Sequence, residues 1–548
     1  MVGVRSFVIA SLAMVSGIAA AQFDGPAPLA WRWQQGSPVS PNGSPVVDGN
    51  TIYFNLGNRV YAIDQATGNT KWKYPNGAPS PGIFRRAPIL VNGVLCSYND
   101  KKEIYGLDPN TGELKWLYQA PYAISGQIVA VGKNIAFAMD GGNLMGVDSG
   151  TGNAIYDAPY RILDGIRGPI YSDGRSVVSF FDGRNNLQAI DLASKKVAWR
   201  QPFGVAPPDG SMTVSEGYLY VYTGTYMACL NASSGSLRWQ KPMSERMIFA
   251  PAVGNGMVLA ISQQGNAYFY DDGGNIITRK PIELGSQPSV MPTCVGKKFV
   301  VPTINGSVQL VSSAGTVDWQ YYVRPMNDAA RNAGTESGAT GKGAGPGGFG
   351  QGGPGGFGQG SKASSSTNND PIVVEQITAP VALCGHTLLV PAEDASLLAF
   401  DMNSGVDLIG PEVKQVWPSQ GELVSGKSGQ EFIFKIEDEA SGVNISSVKM
   451  DIDGKAYNFD FGRDGYLICQ ISQFKKNPMI ANGRHVVHIT ASDWMGNQTN
   501  LSVTIRVDNA LDPLKRPGTE DSTTNGGRPG GKGGKGGFGG GGTGAGAG

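Results

Sequence analysis

Short apolar runs separated by tight polar turns cover most of this chain. SPVVDGNTIYF (residues 44–54) and APAVGNGMVLAI (residues 250–261) each consist of an apolar strand, a turn rich in Gly and Asn or Asp, and a second apolar strand. Asn-Gly and Asp-Gly pairs tolerate the positive φ angles of two-residue hairpin turns. The pattern therefore predicts a series of antiparallel hairpins rather than helices.

A second motif follows each of these hairpins. YAIDQATGNTKWKY, YGLDPNTGELKWLY and MGVDSGTGNAIYDA share an Asp, a Gly four residues later and an aromatic residue eight residues after the Asp. Weaker copies continue to residue 411, about every 40 to 44 residues, apart from one gap of about 90. The copies place the motif at Asp64, Gly68, Trp72, Asp108, Gly112, Trp116, Asp148, Gly152, Asp191, Trp199, Gly235, Trp239, Gly315, Trp319, Asp401 and Gly405.

Each repeat predicts four antiparallel strands, which is one propeller blade. The Asp is expected to shape a turn, the Gly to take a left-handed conformation and the Trp to pack between neighbouring blades. Several copies depart from the motif: Lys195 stands in place of the Gly, Ile409 in place of the aromatic residue, and the copy around Asp271 has lost its Trp. Trp31 and Trp33 suggest a displaced outer strand that closes the ring against the last blade. Because the same residues serve the same purpose in most repeats, the motif indicates structure rather than catalysis.

The pattern Ala-x-Asp-x-x-Thr-Gly-x-x-x-Trp resembles the tryptophan-docking motif of the PQQ-like β-propeller repeat family. The resemblance covers residues 30–411 and is BamB-like, without an identifiable quinone site. It implies an eight-bladed propeller, but the family includes both quinoprotein alcohol dehydrogenases and a non-enzymatic outer-membrane assembly factor. The motif is therefore specific for the fold and weak for the function.

The N-terminal residues 1–21 predict a signal peptide. Arg5 precedes an apolar run over residues 7–20, and small residues end it at the expected cleavage site. This run is too short to be a typical membrane anchor. We therefore expect an extracytoplasmic location, either periplasmic or at the cell surface.

Two glycine-rich segments interrupt the globular pattern. Residues 327–370, between blades seven and eight, repeat an octapeptide in tandem, and residues 510–548 form a similar tail. Both are predicted to be disordered, because they offer little apolar surface to bury. Between blade eight and the tail, residues 412–509 predict a β-sandwich resembling bacterial immunoglobulin-like domains. The fold class expected is thus an all-β chain, an eight-bladed propeller followed by an immunoglobulin-like sandwich.

Composition and charge limit the possible partners. The net charge is zero and charged residues make up 16% of the chain, which argues against nucleic acid and against an anionic membrane surface. The five cysteines are widely spaced, and most are expected to be small buried core residues. The alternative is that two of them form a disulfide bridge in an exported protein.

No cofactor, metal or catalytic residue is predicted. Quinoproteins of the resembling family use PQQ, calcium and usually two adjacent cysteines, and no such pair occurs here. His485 and His488 lie three apart on a predicted strand, which directs them to opposite faces. The acidic cluster Glu437, Asp438 and Glu439 suggests either a calcium ligand set or a solvated turn.

These observations predict an exported, non-catalytic binding or scaffold protein of the cell envelope. Its propeller would present a loop face or a central funnel to a protein or envelope partner. The alternative is an exported enzyme, either PQQ-dependent or acting on polysaccharide.

Overall fold

The computed structural model describes residues 22–205, 212–223, 226–324, 375–462 and 464–515. The predicted signal peptide, the predicted glycine-rich insert and nearly all of the predicted tail lie outside these residues. The described part is all-β, as expected.

Each of the predicted repeats forms a four-stranded antiparallel sheet, which confirms the propeller blades. Within a blade the strands pair in chain order, because tight turns join consecutive strands and leave only neighbouring pairings open. Blades one to four comprise β2 (Val46–Asp48), β3 (Thr51–Leu56), β4 (Arg59–Asp64) and β5 (Thr70–Tyr74); β6 (Ile89–Val91), β7 (Val94–Tyr98), β8 (Glu103–Leu107) and β9 (Leu114–Gln119); β10 (Ile124–Val131), β11 (Asn134–Met139), β12 (Asn143–Asp148) and β13 (Tyr160–Arg161); and β14 (Arg167–Ser172), β15 (Val177–Phe181), β16 (Asn186–Asp191) and β17 (Lys196–Pro202).

The next three blades repeat this arrangement. Their second and third strands are continuously buried, as expected for strands covered by a blade on both faces. Blades five to seven comprise β18 (Met212–Ser215), β19 (Tyr218–Thr223), β20 (Tyr226–Asn231) and β21 (Leu237–Pro242); β22 (Ala252–Gly254), β23 (Met257–Ile261), β24 (Asn266–Asp271) and β25 (Ile282–Glu283); and β26 (Thr293–Cys294), β27 (Phe299–Pro302), β28 (Ser307–Ser312) and β29 (Thr316–Tyr322).

Blade eight combines both ends of the propeller. Its outer strand is the N-terminal β1 (Leu29–Gln34), which pairs antiparallel with β32 (Ser396–Phe400). Arg32 on β1 also forms an ion pair with the buried Asp394 at 2.5 Å. The predicted closure by the Trp31–Trp33 strand is therefore present in the structure. The other two strands of this blade are β30 (Ala382–Cys384) and β31 (Thr387–Pro391).

The core of the propeller lies between its blades. One cluster joins Phe181, Trp199 and Leu219 of blades four and five, and others join the following pairs in the same way. Each blade is thus stabilised mainly by its neighbours, as in other repeat architectures.

The C-terminal segment forms a separate pair of sheets with one shared core. Phe432 and Phe434 of one sheet pack with Val487 and Ile489 of the other. A hairpin turn lies at Asp453–Gly454, where both φ angles are positive. The immunoglobulin-like assignment of this C-terminal module stays a prediction. The sheets comprise β33 (Glu412–Trp417), β35 (Glu431–Glu437), β39 (Tyr466–Gln470) and β38 (Asp460–Phe461); and β34 (Leu423–Val424), β41 (Gln498–Val507), β40 (Gly483–Asp493), β36 (Val443–Ile452) and β37 (Lys455–Ala456).

The cysteines behave as core residues. All five are free thiols in the structure, and four of them are buried, whereas Cys294 is half-buried. Burial raises the pKa of Cys96 to about 12, which keeps this thiol protonated and unreactive near neutral pH. Within the described residues, the structure contains no helix long and apolar enough to cross a membrane.

Candidate functional site

The motif aspartates fix the turn before each outer strand. Asp108 Oδ1 accepts hydrogen bonds from the backbone N–H groups of Asn110 (2.9 Å) and Thr111 (3.3 Å). A side-chain bond from Lys115, 2.9 Å away, is the main reason that the pKa of Asp108 is lowered. Because these oxygens are engaged within the turn, the aspartates serve the structural purpose predicted for them. Equivalent side-chain to backbone bonds occur at Asp64, Asp148, Asp191, Asn231, Asp271 and Asp401.

The motif tryptophans other than Trp319 reach the turn of the next blade. Trp72 Nε1 donates to Pro109 O at 3.0 Å, and its ring covers Gly112. A Cβ atom added at Gly112 would lie 2.5 Å from that ring, so the glycine allows the close approach as well as the left-handed φ of +74°. The same contact recurs from Trp31, Trp116, Trp199 and Trp239 to the carbonyls of Gln65, Ser149, Ala232 and Asp272 and over Gly68, Gly152, Gly235 and Gly274.

At the joint between blades three and four, both the Trp and the Gly of the motif are replaced by other residues. Tyr156 replaces the Trp and donates through its hydroxyl to Leu192 O. Lys195 replaces the Gly at φ +58°, and its ammonium lies 4.2 Å from the Tyr156 ring centroid. A smaller ring leaves space for a side chain, and the cation–π contact uses that space. The sequence contained this signal as Tyr156 in the aromatic position of the third repeat and Lys195 in the glycine position of the fourth.

Two motif glycines, Gly315 and Gly405, have no tryptophan ring docked on them. Gly315 has the left-handed φ of +91°, but no ring covers it, since blade six lacks the Trp. Gly405 was expected to be left-handed, and this was wrong: its φ is not positive, and it lies against Pro28 instead. The reason is that β1 occupies the outer position of blade eight. Residues after Gly405 are consequently displaced, and Ile409 is 80% exposed.

The tryptophan of blade seven docks on the C-terminal module. Trp319 is fully buried, and its Nε1 donates to Ser441 O at 3.2 Å. The turn that receives it, residues 438–442, is here called the junction turn. Its other carbonyls accept bonds from Tyr321 Oη to Glu439 O (3.0 Å) and from Leu29 N to Ala440 O (2.8 Å). Trp319 therefore packs against blade eight, as predicted, and contacts the C-terminal module in addition.

The acidic cluster at this turn is not a solvated loop. Glu437 forms ion pairs with Arg324 and with Lys435. Asp438 is half-buried, and its Oδ1 accepts the backbone N–H groups of residues 440, 441 and 442, each at 2.9 Å. Burial is the largest cause of the raised pKa of Asp438. Carboxylate oxygens of Asp407 and Asp493 lie within 4.8 Å of that of Asp438, so these three residues are the ones that could hold a cation.

A cavity of about 210 Å³ lies between blades five and six. Arg238 crosses it, with its guanidinium 4.8 Å from the Tyr218 ring centroid and 2.9 Å from Asp272. This arginine is already neutralised by Asp272. The cavity is consistent with a small polar ligand, but no catalytic group is aligned in it by the contacts described.

Exposed apolar residues occur around one face of the propeller. This connection face is formed by the turns between second and third strands together with the segments that join blades, which hydrogen-bond each other, as at Gly183 N to Asp164 O (2.8 Å). Its exposed apolar residues are Tyr122 (49%), Leu163 (94%), Val205 (55%) and Ile304 (46%).

Comparison with known proteins places these features in one family. The sequence profile described as "Outer membrane protein assembly factor BamB" matches residues 30–162 and 163–339, more than half of the chain. No curated protein matches the sequence significantly.

Solved structures give similar folds at low identity. BamB from Moraxella catarrhalis has a TM-score of 0.46 at 12% identity, covering 68% of this chain and 100% of that one. Sqt1 from Saccharomyces cerevisiae has a TM-score of 0.47 at 8% identity, covering 69% and 99%. A europium-containing methanol dehydrogenase has a TM-score of 0.39 at 16% identity, covering 54% and 80%. On the strength of the profile match, this chain belongs to the PQQ-repeat β-propeller family described as outer membrane protein assembly factor BamB.

Proposed function

We propose that this protein is exported and acts as a non-catalytic binding scaffold of the cell envelope, with the connection face as its contact surface. The observation that carries the proposal is the use of the repeated polar groups. The motif aspartates accept hydrogen bonds from the amides of their own turns, and the motif tryptophans donate to the next turn. The polar groups that recur in the repeats therefore stabilise the ring.

The connection face supplies what a protein partner requires. Apolar side chains exposed at several points of one face, surrounded by polar turns, are typical of interaction surfaces. Leu163 has the most exposed side chain of this set and lies in a connection between blades three and four. The name of the family, an outer-membrane assembly factor, agrees with a protein or envelope component as the partner. The predicted signal peptide agrees with the location.

Site-specific photo-crosslinking in the producing cell tests this assignment. Photoreactive residues at Leu163 and Ile304 should give the same discrete adduct. The controls are Leu114 (45% exposed) and Leu237 (51%), which match Ile304 (46%) in exposure but lie on outer strands, and these should give none. Adducts of equal yield at all four positions would contradict the connection face as the contact surface.

A second measurement separates the scaffold from the alternative enzyme. The mature protein is titrated with PQQ in the presence of calcium, followed by quinone absorbance, and is assayed for cleavage of envelope polysaccharides. The scaffold proposal expects neither quinone binding nor cleavage. Stoichiometric quinone binding would establish the quinoprotein alternative, and cleavage would establish the polysaccharide-acting one. Mass determination of the extracytoplasmic form, expected to begin at Gln22, tests export.

A further inference from the structure

Three carboxylates from distant parts of the chain converge beside the junction turn. Asp407 follows blade eight, Asp438 begins the junction turn, and Asp493 ends β40. Oxygen atoms of all three lie within 4.8 Å of one another. Asn497 fixes part of this arrangement, because its side-chain amide donates to both Asp407 O (3.1 Å) and Asp493 Oδ2 (2.7 Å).

Within the part of the chain that the structure describes, none of the three carboxylates of this triad forms an ion pair. The ion pairs described at this turn are made by the preceding Glu437 with Arg324 and Lys435. Burial is the main reason that the pKa of Asp438 is raised, and the negative charges of Asp407 and Asp493 raise it further. Like charges at such separations repel strongly once they are withdrawn from water.

Two buried oxygen atoms at this place lack any partner within the described residues. The Oδ2 of Asp407 is inaccessible to solvent and accepts no hydrogen bond. Ser441, which is 0% exposed and donates its N–H to Asp438 Oδ1, likewise has an Oγ without a partner. Buried polar atoms are nearly always satisfied, so a carboxylate oxygen left over in an acidic cluster indicates a missing positive ligand.

We propose that Asp407, Asp438 and Asp493 bind a calcium ion that fastens the C-terminal module to the propeller. Calcium prefers oxygen ligands at about 2.3–2.6 Å, so two of its ligands can be separated by up to about 4.8 Å. Magnesium demands near-ideal octahedral geometry at about 2.0–2.1 Å and is usually bound through only one or two carboxylates, so three converging carboxylates favour calcium. The remaining coordination positions are left for water and for second oxygens of the carboxylates.

The position of the site gives the ion a mechanical role. The junction turn that begins with Asp438 also offers its carbonyls to Leu29, Trp319 and Tyr321 of the propeller. Neutralising the triad would therefore stabilise the turn on which blade seven and the ring-closing strand both depend. This role is independent of the proposed partner binding and requires no quinone.

Calorimetric titration of the mature protein with calcium, without PQQ, tests the site. We expect one ion bound per chain and a rise of the melting temperature by at least about 2 °C over a chelator-treated sample. Asp407→Asn should weaken calcium binding by at least about tenfold, since it removes one of three charged ligands. The control Asp460→Asn, at an exposed ion pair with Lys475, should leave binding unchanged.

The same variants separate a cation site from a merely structural carboxylate. In chelator, Asp407→Asn should melt at or above the wild-type temperature, because repulsion in the triad is reduced. In calcium it should melt below the wild type. Terbium luminescence that calcium displaces in the wild type but that is lost in Asp407→Asn gives a second readout. Absence of calcium binding, binding that survives Asp407→Asn, or an equal response to magnesium would overturn the proposal.

Discussion

The joint after blade one and the joint after blade seven use the same tryptophan in different ways. Trp72 is half-buried and donates to a carbonyl of the next blade, 37 residues further along the chain. Trp319 is fully buried and donates to Ser441 of the C-terminal module, 122 residues away. The first joint links two repeats, whereas the second links blade seven both to blade eight and to the C-terminal module.

The surroundings of the two rings differ accordingly. Trp72 has one aromatic neighbour described, Tyr53, whereas Trp319 lies within about 6 Å of three rings: Phe23, Tyr321 and Phe400. These come from the N-terminal segment, from blade seven and from blade eight. The module therefore contributes to the place where the ring closes, and a propeller lacking it would leave the Trp319 indole N–H without its carbonyl partner.

The largest expected effect is the loss of the Trp319 joint. Trp319→Ala should lower the free energy of unfolding by about 3–5 kcal/mol, as for other fully buried large side chains. Trp72→Ala should cost about 2 kcal/mol, because this side chain is only half-buried. Urea denaturation followed by circular dichroism measures both. Trp319→Phe, which keeps an aromatic ring but removes the hydrogen bond, serves as the milder variant; equal losses for Trp319→Ala and Trp72→Ala would refute the distinction.

Glycines under the docking rings provide the next test. Gly112→Ala should cost about 2–4 kcal/mol, since its Cβ would meet the Trp72 ring at 2.5 Å in a left-handed conformation. Gly315→Ala has the same conformational strain but nothing within 4 Å of its Cβ, so about 1 kcal/mol is expected. Thermal melting compares the two variants. A Gly315→Ala loss as large as that of Gly112→Ala would mean that conformation alone, rather than ring docking, explains the motif glycine.

The sequence predicts the ring better than the junction. The turn aspartates and the closing strand with Trp31 and Trp33 could be recognised because their signals are local and repeat with a fixed period. A residue that is hard to interpret in one copy can therefore be interpreted from the same position in the other copies. The left-handed glycine was predicted in the same way and failed only at Gly405, where a strand from the other end of the chain replaces the local one.

The junction could not be predicted because its contacts are neither local nor repeated. Nothing in the sequence around Trp319 distinguishes its partner, Ser441, from a turn of the next blade. Asp438 was recognised only as part of an acidic run, and neither Asp407 nor Asp493 was predicted to be a ligand. Their meeting with Asp407 depends on how the module is seated on the propeller, which a one-dimensional pattern does not contain.

A smaller effect is expected at the exchanged joint between blades three and four. Tyr156→Trp alone should cost about 1–3 kcal/mol, because the larger ring must displace Lys195. Combining it with Lys195→Gly restores the usual pair and should return most of that stability. A double-mutant cycle measured by urea denaturation should give a coupling energy of about 1–2 kcal/mol. Additive effects would show that Tyr156 and Lys195 vary independently.

The smallest effect contrasts two aspartates through pH. Lys115 and turn amides lower the pKa of Asp108, so its contribution is present above the unfolded-state pKa and is lost as the pH falls through the lowered value. The pH dependence expected for Asp438 is the opposite. Because its pKa is raised, the ionised carboxylate destabilises the protein at neutral pH. Protonation removes this destabilisation as the pH falls through the raised pKa. In chelator at pH 7, Asp108→Asn should therefore be less stable than the wild type, by about 0.5 kcal/mol at this exposed site.

Asp438→Asn should instead be more stable than the wild type under those conditions, because Asn keeps the acceptor oxygen of the junction turn without the charge. Both differences should shrink as the pH is lowered, the Asp438 difference first, since its raised pKa is reached at a higher pH. Urea denaturation at a series of pH values from 7 to 3 measures this order. If Asp438→Asn is destabilising throughout in chelator, the ionised carboxylate of Asp438 is not destabilised by burial and by its charged neighbours, and the difference between the ring and its junction is one of packing alone.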